Sequence, residues 1–217
     1  MSSNNENVSN PIHSRLDLDI EEVRTRVLTN VVKMIRYRGY LSEQKWTDQI
    51  IVQYAQKRSD SNIYKLQLDN HLPAEPDFDN TAIYIKIVAQ KINSISSSPV
   101  VNDFLKTHTD KYKILVFDSI SDKAVTAFSG SGKIEVFEEK FLMLDLMSHY
   151  ASPKYHVLND EEVKELKNSY NVDNKTTPKM LLNDPAAKYL GLKRGQFVKI
   201  IRNSEYAGYS VGYRKVK

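Results

Sequence analysis

Two stretches of the chain carry residue types and spacings suited to phosphate or metal chemistry, and both are incomplete. Ser129-Gly-Ser-Gly-Lys133 has the glycines and the closing lysine of a phosphate-cradling loop. That motif needs Gly where Ala127 stands and Ser or Thr where Ile134 stands, so the segment reads as a turn. Pro76-Asp77, followed by a strand from Ile83 to Val88, has the outline of a metal-dependent nuclease, in which a loop Asp precedes an acid-x-Lys strand. Lys86 fills the lysine place, but Tyr84 fills the place of the acid. Two-metal hydrolysis needs several oxygen ligands converging on one point, and this set falls short. Glu138-x-Lys140 offers the acid and the lysine without a matching upstream Pro-Asp. The five histidines, His13, His71, His108, His149 and His156, include no pair at the three-to-five spacing of a metal site. The sequence therefore assigns no catalytic residue, no metal ligand and no cofactor.

Residues suited to binding rather than reacting gather at the C-terminus. Lys188 to Lys217 carries eight Lys or Arg against one acid, Glu205, and holds four of the seven glycines, Gly191, Gly195, Gly208 and Gly212. Glycines at that density mark turns of positive φ or close backbone approach, and Phe197 to Ile201 between them reads as a strand. Residues 1–148 hold 18 basic and 20 acidic side chains, whereas residues 149–217 hold 13 and 7. The change of sign supports a domain boundary there. A basic unit fits nucleic acid or an acidic protein surface, and a solvated basic face is the alternative. The acidic balance of residues 1–148 argues against a free-standing DNA-binding protein. The thirteen tyrosines could stack on bases, but most stand at apolar positions and read as core or rim.

The elements that must position these residues are legible from periodicity. Of the 217 residues 41% are apolar, enough for a core, and no run approaches the ~18 apolar residues of a membrane span. The opening MSSNNENVSN lacks the apolar stretch of a secretory signal, and residues 1–14 read as a disordered tail. The absence of cysteine excludes disulfides and fits a reducing compartment. A helix over Asp19 to Arg38 turns Ile20, Val23, Val27, Val31 and Met34 inward, with Asp19 and Glu22 at capping-box spacing and Gly39 ending it. A second helix over Ser42 to Gln56 carries Trp46, Ile50 and Tyr54 on one stripe. Strands follow at Ile63 to Leu68, Ala82 to Val88, Lys113 to Phe117 and Ile134 to Phe137. A loop spans Leu72 to Asn80, one helix begins at Pro99 with Ser98 as its cap, and another covers Ser121 to Phe128. This alternation predicts an α/β domain over 15–147. Ser148 to Tyr155 reads as a linker. A helix over Asp160 to Tyr170 turns Val163 and Leu166 inward. A last helix, near Asp184 to Tyr189, is capped by Asp184 with Pro185 in its first turn and ended by Gly191.

The spelling of the C-terminal part resembles a known family. His149, Pro153-Lys154, Asn159-Asp-Glu-Glu162, Pro178, Asp184-Pro185-Ala186, Tyr189-Leu190-Gly191, Arg194-Gly195, Arg202-x-Ser204-Glu205, Ala207-Gly208 and Tyr213-Arg214 follow the order and spacing of the H-type subunit of archaeal RNA polymerase. They equally follow its eukaryotic counterpart, the fifth-largest subunit shared by RNA polymerases I, II and III. This chain departs in having Ser152 and Tyr155 around Pro-Lys, where the family usually has Val and His, and Thr177 before Pro178, where it usually has Leu. Val32-Lys-Met-Ile-Arg-Tyr-Arg-Gly-Tyr40 resembles the family's first helix. Ile120, Ser121 and Ala124 keep the pattern of its Ile-Thr-Pro-Ser-Ala loop, with Asp122 and Lys123 replacing Pro and Ser. The archaeal protein lacks this N-terminal part, so the chain resembles the eukaryotic form or a copy carried by a large DNA virus.

The resemblance implies an α/β jaw domain with a mixed sheet and an inactive, nuclease-like topology, followed by a small α+β assembly domain at 148–217. It implies a subunit without catalysis whose C-terminal domain docks on the largest polymerase subunit. The N-terminal domain would lie in the lower jaw near downstream duplex DNA. Other polymerase subunits are implied as partners, and no membrane. A nuclear location is implied, or a virion or cytoplasmic replication site for a viral copy. The implied docking residues are Pro153, Lys154, Asp184, Pro185, Arg194, Arg202, Ser204, Glu205, Tyr213 and Arg214. For Arg202 to Glu205 a second reading stands, in which Ser204 and Glu205 cap a turn and Arg202 pairs with Glu205. The implied DNA-proximal residues are Ser121, Asp122, Lys123 and Ala124. Backbone N–H groups at a helix start favour phosphate, and Lys123 adds salt-dependent attraction that Asp122 opposes. An ordinary exposed lysine is the other reading of Lys123, and the same two readings apply to Lys111 and Lys113.

Overall fold

The computed structural model describes residues 18–57, 59–70, 79–92, 98–129, 133–170 and 176–217. The expected tail at 1–14, most of the 72–80 loop including Asp77, His13, His71 and the Gly130–Gly132 turn lie outside the described residues. The chain divides into two compact units, Met1–Val32 with Gln44–Met143, and Lys33–Glu43 with Leu144–Lys217.

Helix α1, Ile20–Tyr37, is the longest helix and follows the sequence expectation closely. Its apolar stripe is wider than the five residues read from periodicity, because Leu28, Val32 and Ile35 are fully buried beside Val27, Val31 and Met34. Ile20, expected inward, is 75% exposed, whereas Val23 is buried. Only half of the capping box forms: Glu22 accepts from the Asp19 N–H at 3.3 Å, while Asp19 accepts from its neighbour Ile20 at 2.7 Å. The far end is a Schellman closure, in which the Gly39 N–H reaches Arg36 O, the Tyr40 N–H reaches Ile35 O, and Gly39 sits at φ +83°. Helix α2, Asp48–Gln56, is shorter than expected and rotated, with Ile51 and Ala55 buried and Ile50 exposed. Trp46, just before it, stands edge-on to Tyr54 at 5.6 Å.

The first unit is built on a four-stranded sheet in the order β1 (Ile63–Gln67), β2 (Asp79–Ile92), β3 (Lys111–Ile120), β4 (Ile134–Glu138). β1 runs antiparallel to β2, and β2, β3 and β4 are parallel, so the sheet is mixed. Two strands are longer than the sequence suggested. β2 takes in Asp79 and Asn80 from the expected loop and runs on past Val88, with register shifts at both extensions. Helices α3 (Pro99–Thr107) and α4 (Asp122–Ser129) form the crossovers. Val101, Phe104, Ala124 and Phe128 from them pack against Val88, Leu115 and Phe117 of the sheet. Ile83, Ile85, Ile87, Ile114 and Val116 alternate with that set and are buried on the opposite face. Burying each such side chain contributes ~1.5–3 kcal/mol. A short helix, α5 (Glu139–Leu142), closes the unit, its last carbonyl accepting from Asn30 Nδ2 at 2.7 Å.

The second unit has a four-stranded sheet in the order β5 (Lys154–Val157), β7 (Phe197–Ser204), β8 (Gly208–Val216), β6 (Lys179–Met180). β5 and β8 each run antiparallel to β7, which lies between them, and β6 joins β8 in parallel. Lys154 and Tyr155, expected in a linker, begin β5, because they pair with Ile201 and Ile200. Helix α6, Asp160–Tyr170, opens with a complete capping box: Asn159 N–H to Glu162 and Glu162 N–H to Asn159 Oδ1, both 2.8 Å. Helix α7, Pro185–Leu190, is capped by Asp184 accepting from the Ala186 N–H at 2.9 Å and closed by Gly191 at φ +64°. Ala186, Ala187 and Leu192 pack on Val198, Ile200 and Val216 on one face of the sheet. α6 touches the other face, with Lys167 over Phe197 and Tyr170 against Tyr213. Gly212, grouped above with the turn glycines, lies inside β8 opposite Ile200 without positive φ.

Candidate docking surface

Asp184 and Pro185 owe their position to α7, and Pro153 to the start of β5. These three line one cleft of about 360 Å³, together with Met147, His149 and Tyr155. Burial pushes the Tyr155 hydroxyl above its usual range. Asp184 adds to the shift, while Arg202 and Arg214 oppose it. Both arginines therefore act on the same tyrosine. The strand register explains this: Arg202 lies two residues beyond Ile200 and Arg214 pairs with Val198, so both share the face that carries α7. The cleft thus combines apolar lining residues with one carboxylate committed to a helix cap, while the two arginines lie outside its lining on the same face of the sheet. Such a surface can receive apolar and acidic groups of a partner.

The other sequence-singled residues sit elsewhere. Lys154, opposite Ile201, and Tyr213, opposite Lys199, lie on the face carrying α6. Ser204 and Glu205 lie where β7 turns into β8. The Ala207 N–H donates to Ser204 Oγ at 3.4 Å, so Ser204 does cap a turn. Among the described residues no ion pair joins Arg202 to Glu205, and both are exposed. Arg194 precedes β7, at the far end of eight strand residues from Ser204, a span of ~26 Å at about 3.3 Å per residue. Sequence reasoning missed Tyr155 and Met147, which line the cleft, and the apolar side chains of the hairpin end. There Tyr206 is 99% exposed, Tyr209 66% and Val211 42%. The alternation Tyr209-Ser-Val211-Gly-Tyr213 carried that signal as a strand of period two.

Two features shape the support beneath this surface. Arg38 donates from Nε to Tyr189 O at 2.8 Å and from Nη2 to Lys188 O at 2.9 Å, holding the last carbonyls of α7. Tyr189 is buried, its ring edge-on to Tyr37, and its hydroxyl donates to Asp145 at 3.4 Å. Burial, with Asp145 beside it, raises the hydroxyl beyond its ordinary titration range.

In the first unit, Ser121 caps α4, its Oγ accepting from the Ala124 N–H at 3.3 Å. Asp122 begins that helix, Lys123 is exposed, and Ala124 is buried against Phe117 and Phe128. Lys86 supplies the lysine of the nuclease-like outline, whose Asp77 lies outside the described residues. This lysine is buried, lies 5.5 Å from the Phe104 ring and donates to Ser61 O at 3.2 Å, while Tyr84 stacks on His108 at 4.3 Å. Burial lowers the Lys86 pKa. Lys113 is buried too, with carbonyls of His108, Thr109 and Lys111 around its ammonium group. It is a structural cation at the end of α3, which removes both surface readings offered for it. Glu138 and Lys140 pair with each other at 2.6 Å. No group of three His, Asp or Glu able to hold a metal occurs among the described residues, and none of their helices is long and apolar enough to cross a membrane.

The structure defines a protein of two mixed α/β units, and comparison with known proteins fixes its family. Residues 144–216 match the family model described as RNA polymerase Rpb5, C-terminal domain. The chain is 31% identical over 214 residues to the DNA-directed RNA polymerases I, II, and III subunit RPABC1 of Caenorhabditis elegans, covering 92% of this chain and 99% of that one. It is 31% identical over 195 residues to the DNA-directed RNA polymerase subunit 5-like protein 1 of Arabidopsis thaliana, covering 86% and 92%. It is also 31% identical over 139 residues to the DNA-directed RNA polymerase subunit 5 of Acanthamoeba polyphaga mimivirus, covering 64% and 67%. The chain belongs to the RNA polymerase subunit 5 family.

Proposed function

We propose that this protein is a non-catalytic subunit of a multisubunit DNA-directed RNA polymerase. Its C-terminal domain, 148–217, docks on the largest subunit, and its N-terminal domain, 15–147, forms part of the lower jaw beside downstream duplex DNA. The observation that carries this reading is the alignment of 92% of the chain with 99% of a subunit shared by three polymerases. Both units of this chain are thereby matched, the sheet of the first as well as the family-defining second.

The cleft holding Pro153, Asp184 and Pro185, with Arg202 and Arg214 at its side, is the docking surface in this reading. In this reading Lys154 and Tyr213 on the other face of the sheet, Ser204 and Glu205 at the hairpin turn, and Arg194 before β7 are separate contacts. The start of α4 at Ser121 to Lys123 lies beside the DNA, with Lys123 as the phosphate-directed cation and Ala124 packed into the core beneath it. The active-site metal belongs to the large subunits, and this chain binds no cofactor. The enzyme acts in the nucleus of a cellular host. The mimivirus relative favours a virion or a cytoplasmic replication site if the chain is viral.

The test is co-purification of the tagged chain from its native source. Recovery of the two largest polymerase subunits in near-equal amounts is the expected result, and recovery of the chain alone would overturn the reading. Arg202→Glu should weaken that recovery while circular dichroism stays unchanged, because an exposed, desolvatable guanidinium is a typical interface anchor. Unchanged recovery would remove Arg202 from the docking surface.

A further inference from the structure

Among the described residues the outer edge of β8 is open beyond its short pairing with β6, and its hydrogen-bonding groups can be assigned one by one. Lys215 and Lys217 N–H groups point outward to Pro178 O and Met180 O of the β6 segment, whereas the Val216 N–H points inward to Gln196 O. No register shift interrupts the pairing from Phe197 with Lys215 to Ser204 with Gly208. The alternation therefore carries back along the strand. Gly208, Ser210, Gly212 and Arg214 turn their backbone groups to β7, and Tyr209, Val211 and Tyr213 turn theirs to the edge. β6 covers that edge only at Lys215 and Val216. Pro178, which precedes β6, has no N–H with which to continue the ladder.

Exposed edges are normally guarded by lysine, proline, a bulge or an inward charge. The Gly208–Tyr213 stretch has none of these among the described residues. Its two faces differ. One carries Tyr209 and Val211, both exposed. The other carries Ser210 and Gly212, flanked by Arg202 and Arg214, with open space around the Gly212 α-carbon. The two strands together hold Lys199, Arg202, Arg214 and Lys215 and no acid.

We propose that the edge of β8 at Tyr209–Tyr213 receives an extended segment of the polymerase partner as an added strand. That segment alternates apolar residues, over Tyr209 and Val211, with acidic residues, toward Arg202 and Arg214. The inference rests on the docking reading above and specifies its form: recognition by main-chain hydrogen bonds, with alternate side chains setting specificity.

Val211→Pro tests it in the full-length chain co-expressed with the tagged largest subunit from the same source. The substitution removes an N–H that faces outward, where an edge strand tolerates proline. Val211→Ala removes the side chain and keeps the N–H. Val211→Pro should lower affinity at least about tenfold, since a lost donor also strands its partner carbonyl, while Val211→Ala stays within about tenfold of wild type. Amide exchange of the wild-type complex provides the second measurement and decides the matter if the proline variant does not fold. Tyr209, Val211 and Tyr213 amides should gain protection on binding, while Ser210 and Gly212, already bonded to β7, change little. Wild-type capture with full binding by Val211→Pro and no alternating protection would overturn the added strand and leave the subunit reading intact. Failure of the wild-type chain to bind would overturn both. Self-association abolished by Val211→Pro, with capture unchanged, would give the edge to a second copy and also overturn the proposal.

Discussion

Arg38→Ala should loosen the helix that supports the docking cleft. The guanidinium makes two charge-assisted bonds to the closing carbonyls of α7, at 2.8 Å to Tyr189 and 2.9 Å to Lys188. The Tyr189 carbonyl is part-buried and the Lys188 carbonyl exposed, so the first bond is the larger contributor. A part-buried charged bond is worth ~1.5 kcal/mol and an exposed one less, with a few tenths more from the helix end, giving a loss of about 2 kcal/mol. For a unit of this size that lowers the melting temperature by roughly 10 °C. Gly191 supplies an internal check. An added Cβ there would lie 3.0 Å from Arg38 Cζ, and the residue sits at φ +64°. Gly191→Ala should cost about 1 kcal/mol from the left-handed backbone, plus the contact with the pinned guanidinium. Removing Arg38 relieves the contact, so the double variant should lose less than the sum of the single variants, by about 0.5–1 kcal/mol. Denaturant titration followed by far-UV circular dichroism measures all four species. A loss below about 0.5 kcal/mol for Arg38→Ala, or strict additivity with Gly191→Ala, would refute the carbonyl-clamp argument.

The two buried lysines should behave in opposite ways. Lys113→Met strands the carbonyls that surround its ammonium group and should cost about 2 kcal/mol or more, whereas Lys86→Met, with one backbone acceptor in an apolar setting, should stay within about 1 kcal/mol of wild type; equal losses in urea melts would contradict this. Glu162 is held below the usual carboxylate range, first by the Asn159 N–H and then by His156. Its contribution is therefore complete above the unfolded value of about 4.3 and is lost as pH falls through the lower folded value, and His156→Ala should raise the midpoint only part of the way. An NMR titration of Glu162 with a midpoint at or above about 4.3 would disprove the assignment. Lys123→Glu should leave polymerase assembly intact and weaken downstream-DNA engagement, with the salt slope falling by about one. Loss of assembly would instead put Lys123 at a protein contact.

The sequence made the helices legible where local chemistry decides. Asn159 and Glu162, Asp184 and Pro185, and Gly39 and Gly191 each act on their own turn, so α6, α7 and the end of α1 fall where the pattern places them. Strands were harder, since their limits depend on pairing. β2 captures Asp79 and Asn80 by lying beside β3, and β5 captures Lys154 and Tyr155 by lying beside β7. Charge was the least legible property. Lys113 reads in sequence as a surface cation, yet a turn of carbonyls draws it inside. The candidate site was legible only in part. Pro153, Asp184 and Pro185 meet because β5 and α7 are tertiary neighbours, which no local spacing reveals, and Tyr155 and Met147 join them for the same reason. The open edge of β8 depends on which strand fails to arrive, and period-two alternation cannot report that.

The lone tryptophan has an optical consequence. Trp46, set edge-on to Tyr54, belongs to the first unit, and the second unit has tyrosines as its only strong chromophores. Excitation at the red edge of the absorption band therefore reports on one half of the molecule alone. Tyr206, at 99% exposure on the hairpin turn, is a solvent-facing emitter in the other half. Tryptophan emission thus follows the first unit by itself while tyrosine emission follows both, and a difference between the two signals on unfolding reports the second unit without an attached label.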